Sequence, residues 1–249
     1  MDGIAVKLER LKREARREWK RKWRATAKAT PAEWRALAGD IALGVVKVAL
    51  IIALPFGVLV RGSVFIFEHG RTPVWVAVLT AAFLTGAVIT AYTVWLARKL
   101  TKTGGRRGGG RALIIPVAKW VALPLVLFYC SYSLLYLASV NAKAPEVRAY
   151  YHSVHPLLRL ALSTLILVDR EMLITDTGRL PEDYARMGLP ENSRTRHYKQ
   201  PDGWVHAVDL RTTGRGMIKN RGAQLYFWLM GFDTRRHVGT ADHLHVELN

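Results

Sequence analysis

A chain of 249 residues has room for one large domain or for two ordinary ones. Half of its residues are hydrophobic, yet its formal net charge is +18, and the charged and apolar residues are separated into blocks. This separation is typical of membrane proteins and argues against a single soluble globule. The only cysteine, Cys130, excludes a disulfide framework within one chain, so packing or a bound metal must supply stability outside a reducing compartment.

Residues 1–38 form a basic segment that is predicted to be helical. The segment consists largely of strong helix formers, and its few apolar residues make a stripe that is too narrow for a core helix. The simplest interpretation is a solvated, positively charged segment beside a membrane. Two sharper interpretations are a helix that lies on anionic headgroups, with Trp19, Trp23 and Trp34 at the interface, and non-specific contact with nucleic-acid phosphates.

Three apolar segments follow, at about residues 41–60, 74–96 and 112–140. Each has the ~20 residues that a helix needs to cross the hydrocarbon core, which predicts a membrane region with three transmembrane helices over residues 39–140. The few charges inside them are Lys47 in the first and Lys119 near the start of the third. Tyr129, Tyr132 and Tyr136, near the end of the third, fit an interfacial aromatic belt.

The charge of the loops predicts the orientation in the membrane. The segment before the first span and the loop at 98–111 are strongly basic, whereas the loop at 61–72 is nearly neutral. Because basic loops stay on the cytoplasmic side, we expect the N-terminus there, or in the interior of a virion that has an internal membrane. The part of the chain after Val140 is then expected on the outer side. The glycines at 104–110 lack a phosphate-binding motif and indicate a flexible linker.

Residues 145–249 return to a mixed composition and predict a small α+β domain with a short antiparallel sheet. The expected elements are a buried helix after residue 155 that is too short to span a bilayer, a loop-rich region at 180–200, a strand at 205–210 and a helix at 222–230. The last residues alternate strictly, so His243, His245 and Glu247 fall on one face of a final strand.

His197, Asp209 and His245 are the candidate metal ligands of this domain. One carboxylate and two imidazoles can hold zinc and leave a fourth position open. On an extended strand His206 points away from Asp209, so His197 is the better co-ligand. His243 lies roughly 7 Å from His245 along the strand face at ~3.3 Å per residue. It is therefore a candidate either to orient a metal ligand or to stabilise the transition state. The competing interpretation is an ordinary half-buried edge strand with solvated histidines.

The motifs Thr195-Arg196-His197, His206-Ala207-Val208-Asp209-Leu210 and Asp242-x-x-His245-x-Glu247-Leu248 resemble those of the M15-type zinc peptidases. They are most similar to the phage L-alanyl-D-glutamate endopeptidases, which act as endolysins, and to D-alanyl-D-alanine carboxypeptidases. The resemblance covers about residues 150–249. It implies that Zn²⁺ is held by His197, Asp209 and His245, and that Asp242 is the general base.

In these peptidases an arginine after the first helix helps to hold the substrate and the developing oxyanion. Arg179, in Thr177-Gly178-Arg179, is the nearest match, and His243 is the alternative for the oxyanion. The chain also departs from the family pattern. Eleven residues separate His197 from Asp209 where six are usual, so residues 198–205 hold an insertion of about five, and Val205 replaces a glycine.

The resemblance and the predicted topology together imply a membrane-anchored zinc peptidase that cleaves peptidoglycan stem peptides on the outer side of the membrane. Two other classes of function stay open. One is a non-catalytic module that keeps the fold but only binds cell wall or a partner, against which the presence of Asp242 argues. The other is a structural membrane protein, for example in a virion, whose basic residues 1–38 bind anionic lipid or nucleic acid.

Overall fold

The computed structural model describes residues 13–14, 16–17, 19, 30–102, 114–186, 188, 190, 192, 194–239 and 242–249, without the side chains of residues 100–102 and 114. Most of the predicted basic helix at 1–38 and most of the 98–111 loop therefore lie outside the described residues. The chain divides into two compact units, Met1–Ile52 and Ala53–Asn249. The predicted domain limits at residues 39 and 145, and the partners expected for residues 1–38, stay predictions.

Three long apolar helices come first. They are α1 (Pro31–Gly70), α2 (Val74–Lys102) and α3 (Ile115–Asn141). All three are long and apolar enough to cross a membrane, which confirms the three predicted apolar segments. Helix α1 has 40 residues, about 60 Å at 1.5 Å per residue. It therefore extends well beyond the predicted limits of 41–60 at both ends.

Helix α1 begins with a capping box. The Glu33 carboxylate accepts a hydrogen bond from the Thr30 backbone N–H at 2.7 Å, and the Thr30 hydroxyl accepts one from the Glu33 N–H at 3.4 Å. The two side chains thus satisfy two N–H groups that the first helical turn leaves without partners. Pro31 occupies the first helical position, where its missing N–H costs nothing.

Helix α3 is irregular at two places. Its α-helical geometry gives way to π-helical turns at Ala118–Ala122 and Ser133–Leu137, and it ends in a 3₁₀ turn. The first π-helical turn lies just before Pro124, which lacks the N–H that an α-helix directs at the residue four positions earlier. The missing hydrogen bond is a physical reason for the wider turn at this place.

The C-terminal part combines short helices with one small antiparallel sheet, as predicted. The helices are α4 (Pro145–Tyr150), α5 (Pro156–Val168), α6 (Pro181–Arg186) and α7 (Met217–Met230). The strands are β1 (Ile174–Asp176), β2 (Ala207–Arg211), β3 (Asp233–His237) and β4 (His243–Glu247), in the spatial order β1-β2-β4-β3. Strand β2 begins two residues later than predicted, and helix α7 begins five residues earlier than predicted. Helix α6 lies within the region that was predicted to be loop.

Helix α5 is buried over residues 156–166, so the prediction of a buried helix is confirmed. Its polar side chains find their partners on α3, because a buried polar group costs free energy unless it is hydrogen-bonded. Arg159 Nη1 donates to the Leu134 carbonyl at 2.9 Å, Ser163 Oγ donates to the Ser133 carbonyl at 2.8 Å, and the Thr164 and Tyr129 hydroxyls share a bond of 2.7 Å. The acceptors Ser133 and Leu134 belong to the second π-helical turn.

The C-terminal part also contacts the end of α1 that precedes the turn to α2. The rings of Phe67 and His155 lie 5.0 Å apart. Gly231 ends helix α7 in the left-handed region at φ +97°, as many helix-terminal glycines do. A side chain at Gly231 would come within 2.9 Å of Val64 Cγ1. Residues 145–249 thus lie at the end of the helices where α1 meets α2.

We expect this end to face the outer side of the membrane. In a chain whose Cys130 has been replaced by Ser, Asn249→Cys should react with a membrane-impermeant maleimide in intact spheroplasts, because the nearly neutral charge of residues 61–72, at the end of α1 and the turn to α2, favours the outer side for this end. Gly105→Cys should react only after lysis. Labelling of Gly105→Cys in intact spheroplasts, with Asn249→Cys protected, would establish the opposite orientation.

Candidate metal centre

The pairing of β2 with β4 brings the first two candidate ligands together. Asp209 lies opposite His245, and Arg211 lies opposite His243. Residues that face each other on neighbouring strands project from the same side of the sheet. His245 Nδ1 is 2.8 Å from Asp209 Oδ1, and His243 Nε2 is 3.7 Å from the same oxygen. His243 and His245 thus lie on the face of the sheet that carries Asp209.

A loop brings the third candidate ligand to the same oxygen. His197 is almost fully buried, and its Nε2 lies 3.3 Å from Asp209 Oδ1. The loop is held on both sides, since the His197 carbonyl accepts from the Arg179 N–H at 3.0 Å and the neighbouring Arg196 carbonyl accepts from the His206 N–H at 3.0 Å. His197, Asp209 and His245 each offer a ligand atom, and these atoms lie within 4.8 Å of one another.

Residues 198–205, where the family resemblance predicts an insertion, fold back on themselves as a tight turn. Gln200 N donates to the Trp204 carbonyl and Gly203 N donates to the Gln200 carbonyl, both at 2.8 Å. Gly203 adopts φ +83°, a backbone conformation that favours glycine. These residues therefore close a small loop of their own, and His197 still lies beside Asp209 and His245.

The outer hydrogen bonds of the two imidazoles fix which nitrogen of each ring faces Asp209. His197 Nδ1 contacts the Thr177 carbonyl oxygen, which accepts but cannot donate, so Nδ1 carries a proton and Nε2 is the atom that faces Asp209 and would bind a metal. His245 Nε2 lies 3.1 Å from Glu247 Oε2, which leaves its Nδ1 toward Asp209. A carbonyl or carboxylate behind each ligating imidazole is the usual outer arrangement of a zinc site. The three residues thus fit a zinc ion in composition and orientation.

Arg179 binds the other oxygen of Asp209. Its Nη2 donates to Asp209 Oδ2 at 2.8 Å, its Nε donates to Asp176 Oδ2 at 2.6 Å, and its Nη1 donates to the Tyr184 hydroxyl at 3.3 Å. Burial alone would raise the pKa of Asp209, but hydrogen bonds from His197 and His245 hold this pKa well below its ordinary value. The carboxylate is therefore ionised, with one oxygen toward Arg179 and one toward the imidazoles.

Asp242, the predicted general base, is engaged by two neighbours. Arg236 Nη2 and Nε donate to its two oxygens at 2.8 and 3.0 Å, and the Thr212 hydroxyl donates to Oδ1. These hydrogen bonds lower the pKa of Asp242, with Arg236 as the largest cause. The carboxylate lies at the entrance to β4, next to His243. Its role as a base stays a prediction.

His237, on β3, is a further histidine near the site that the sequence patterns do not predict. Its ring stacks on that of His243 at 4.7 Å and lies 6.2 Å from that of His245. The stretch Asp233–His237 contains no apolar residue at all, so it lacks the alternation that identifies a half-buried strand. A polar edge strand of this kind is visible only once its partner β4 is in place.

A second group of ligand-type residues lies elsewhere and consists of His155, Asp202 and His206. Asp202 Oδ2 is 2.8 Å from His206 Nε2 and 3.7 Å from His155 Nε2. His155 Nδ1, however, accepts the Leu157 N–H at 3.3 Å as the cap of α5, which puts the proton of a neutral ring on Nε2. His155 thus presents an N–H and not a lone pair to the group, and only His206 is hydrogen-bonded to Asp202, so we do not interpret this group as a metal site. The prediction that His206 points away from Asp209 is confirmed.

No family model matches the chain, and no curated protein and no solved structure matches it either. The assignment of the site therefore depends on the geometry around Asp209.

We expect the purified chain to bind one zinc ion. His245→Ala should remove most of it, because two ligands hold zinc much more weakly than three. His206→Ala is the matched control, since this histidine is also nearly buried but belongs to the second group. Metal content after dialysis, measured by mass spectrometry, gives the result. Equal zinc in the two variants, or loss only in His206→Ala, would move the site away from Asp209.

His155 should make the fold sensitive to acid. Burial, followed by the nearby charge of His206, lowers the pKa of His155 from 6.5 to about 3. Between these values the unfolded state binds a proton that the folded state does not. The stability is thus complete above pH 6.5 and falls as the pH decreases, by up to about 1.4 kcal/mol per pH unit.

His155→Asn keeps an acceptor for the cap of α5 but removes this titration. We therefore expect the melting temperature of this variant to fall less steeply between pH 6.5 and 4 than that of the wild type. His152→Asn, at an exposed position nearby, is the control. Parallel curves for His155→Asn and the wild type would show that His155 does not set the acid sensitivity.

Proposed function

We propose that the chain is a membrane-anchored zinc peptidase of the M15 type that cleaves peptidoglycan stem peptides on the outer side of the membrane. One observation carries the proposal: two imidazoles with their outer N–H groups held in place converge on one oxygen of a buried aspartate. A solvated edge strand would not need such a buried and directed arrangement. The three long apolar helices supply the anchor.

Zn²⁺, when bound by His197, Asp209 and His245, would supply Lewis acidity to the peptide carbonyl. Asp242 is assigned the proton transfers, from the attacking water and then to the leaving amine. Arg236 and Thr212 hold its carboxylate in one orientation.

The site offers two cationic or N–H-bearing groups for the oxyanion, and the contacts distinguish them. Arg179 is occupied by Asp176 and Asp209, so we assign it to the positioning of Asp209. His243, whose Nε2 lies 3.7 Å from the same aspartate and whose ring is partly exposed, is assigned to the developing oxyanion. Of the two candidates, this favours His243 over Arg179, to which the family resemblance gives the oxyanion role.

A cavity of about 130 Å³ opens beside the proposed zinc site. His245 and Glu247 line it together with Asp233, Thr234 and Arg235. Stem peptides carry free carboxylates, and an arginine at the wall of a small polar cavity can bind a carboxylate through two parallel hydrogen bonds. Arg235 is therefore our candidate for substrate recognition.

A non-catalytic, zinc-containing wall-binding module is the second candidate function. This candidate is favoured because both oxygens of Asp242 already accept hydrogen bonds, from Arg236 and Thr212. These bonds lower the pKa of Asp242, and a base whose pKa lies far below the working pH accepts a proton less readily. The two candidates differ in whether the zinc-loaded chain hydrolyses peptide bonds.

The variant Asp242→Asn tests the peptidase proposal against the binding-module proposal. The amide is nearly the same size as the carboxylate and is not a proposed ligand, so zinc content and melting temperature should stay close to those of the wild type. Hydrolysis of purified stem peptides, followed by chromatography and mass spectrometry, should slow by ~10²–10⁴-fold, the usual contribution of a general base.

Glu146→Gln, at an exposed acidic position outside the site, is the control for the loss of one carboxylate. Full activity of Asp242→Asn would exclude Asp242 as the base and direct attention to His243. A zinc-loaded wild type that binds peptidoglycan but cleaves no stem peptide would establish the binding module.

A further inference from the structure

A long groove lies between α2 and α3, away from the proposed zinc site. Its volume is about 720 Å³, and its lining is almost entirely apolar. Gly86, Thr90 and Trp95 contribute to one wall, and Lys119 contributes to the other. The Thr90 hydroxyl is already satisfied, because it donates to the Gly86 carbonyl at 2.7 Å. The middle of the groove therefore has no polar group that requires a partner from a ligand.

The groove runs along the helix axis for the length of one bilayer leaflet. Its lining residues on α2 begin at Phe83 and end at Arg98, a distance of about 22 Å at 1.5 Å per residue. Half of the hydrocarbon core is ~15 Å thick. An extended acyl chain that follows this groove would thus lie parallel to the bilayer normal, as the surrounding lipid chains do.

Two cations lie at the same end of the groove. Arg98 lies near the end of α2, and Lys119 lies near the start of α3, so both line the end next to the 103–113 connection. Lys119 belongs to the π-helical turn Ala118–Ala122 and lies 4.9 Å from the ring of Trp120. Tryptophan beside a basic residue is typical of the headgroup level. Turns of this geometry inside α-helices occur frequently at functional sites.

We propose that the groove between α2 and α3 is a binding site for one anionic phospholipid of the bilayer, with an acyl chain along the apolar wall and its phosphate between Arg98 and Lys119. A guanidinium and an ammonium bind phosphate oxygens by charge-assisted hydrogen bonds. In a zwitterionic headgroup the cationic group competes for the same phosphate, so these bonds are weaker than with an anionic lipid. The apolar wall of the groove thus favours an acyl chain, and the two cations favour a negatively charged headgroup. This inference is independent of the peptidase proposal.

Native mass spectrometry of the full chain in detergent tests the site. After delipidation and titration with phosphatidylglycerol or phosphatidylcholine, one phosphatidylglycerol should stay bound, with a clear preference over phosphatidylcholine. The double variant Arg98→Gln/Lys119→Gln should bind phosphatidylglycerol roughly tenfold more weakly. Arg71→Gln/Lys143→Gln removes the same charge from two residues that are not part of the groove lining, so its affinity should equal that of the wild type.

A second variant tests the apolar part. A side chain added at Gly86 meets no atom within 4 Å, so Gly86→Leu should fill the groove without disturbing the helices and should weaken lipid binding. Gly57→Leu is the matched control, because a side chain at Gly57 also meets no atom within 4 Å and this position does not line the groove.

Three results would overturn the proposal. They are equal retention of phosphatidylglycerol and phosphatidylcholine, equal affinity of both charge variants, and a preference for a polyprenyl phosphate over phosphatidylglycerol. The last would give the groove a different occupant.

Discussion

The buried carboxylate of Asp209 is the group around which the C-terminal part is arranged. An ionised carboxylate in the interior is costly unless both of its oxygens are satisfied. One oxygen receives Arg179, which is itself held by Asp176, and the other receives the imidazoles of His197 and His245. These contacts join β1, β2, β4 and two loops at a single point.

The hydrogen bonds between α5 and α3 connect the C-terminal part to the long apolar helices. Arg159 and Ser163 are polar residues in an otherwise apolar helix, and they donate to carbonyls of a π-helical turn. A hydrogen bond to such a carbonyl has few competitors in an apolar environment, so it is stronger there than in water. The C-terminal part is thus attached to the long apolar helix α3 by directed bonds as well as by chain connectivity.

Much of the architecture could be predicted from the sequence, because it depends on regular patterns. The three apolar segments, the buried helix after His155 and the alternating final strand each follow from one period or one length. The shared face of Asp209, His243 and His245 follows from the same alternation, once β2 and β4 pair. These features are local, and the sequence contains them in full.

The rest depends on contacts between distant parts of the chain. The polar strand β3 forms only because β4 offers it a partner. Arg179 was expected to face the substrate, whereas Asp176 and Asp209 take its hydrogen bonds, since a buried carboxylate competes for the nearest guanidinium. The ion pair of Arg236 with Asp242 is likewise invisible in a motif, although it decides how basic the carboxylate is. Tertiary contacts of this kind set the chemistry of groups whose positions the pattern alone predicts.

Helix α5 also restricts where the chain can work. Only residues 142–144 connect α3 to α4, and the hydrogen bonds of α5 hold the part that follows against α3. With the three long helices in a bilayer, the pocket beside His245 would stay at a constant height above the membrane surface and would move only by lateral diffusion of the whole molecule. Encounters with a target would then be confined to a thin layer parallel to the membrane, so their frequency would depend on the number of molecules per unit area and hardly on the volume of the compartment.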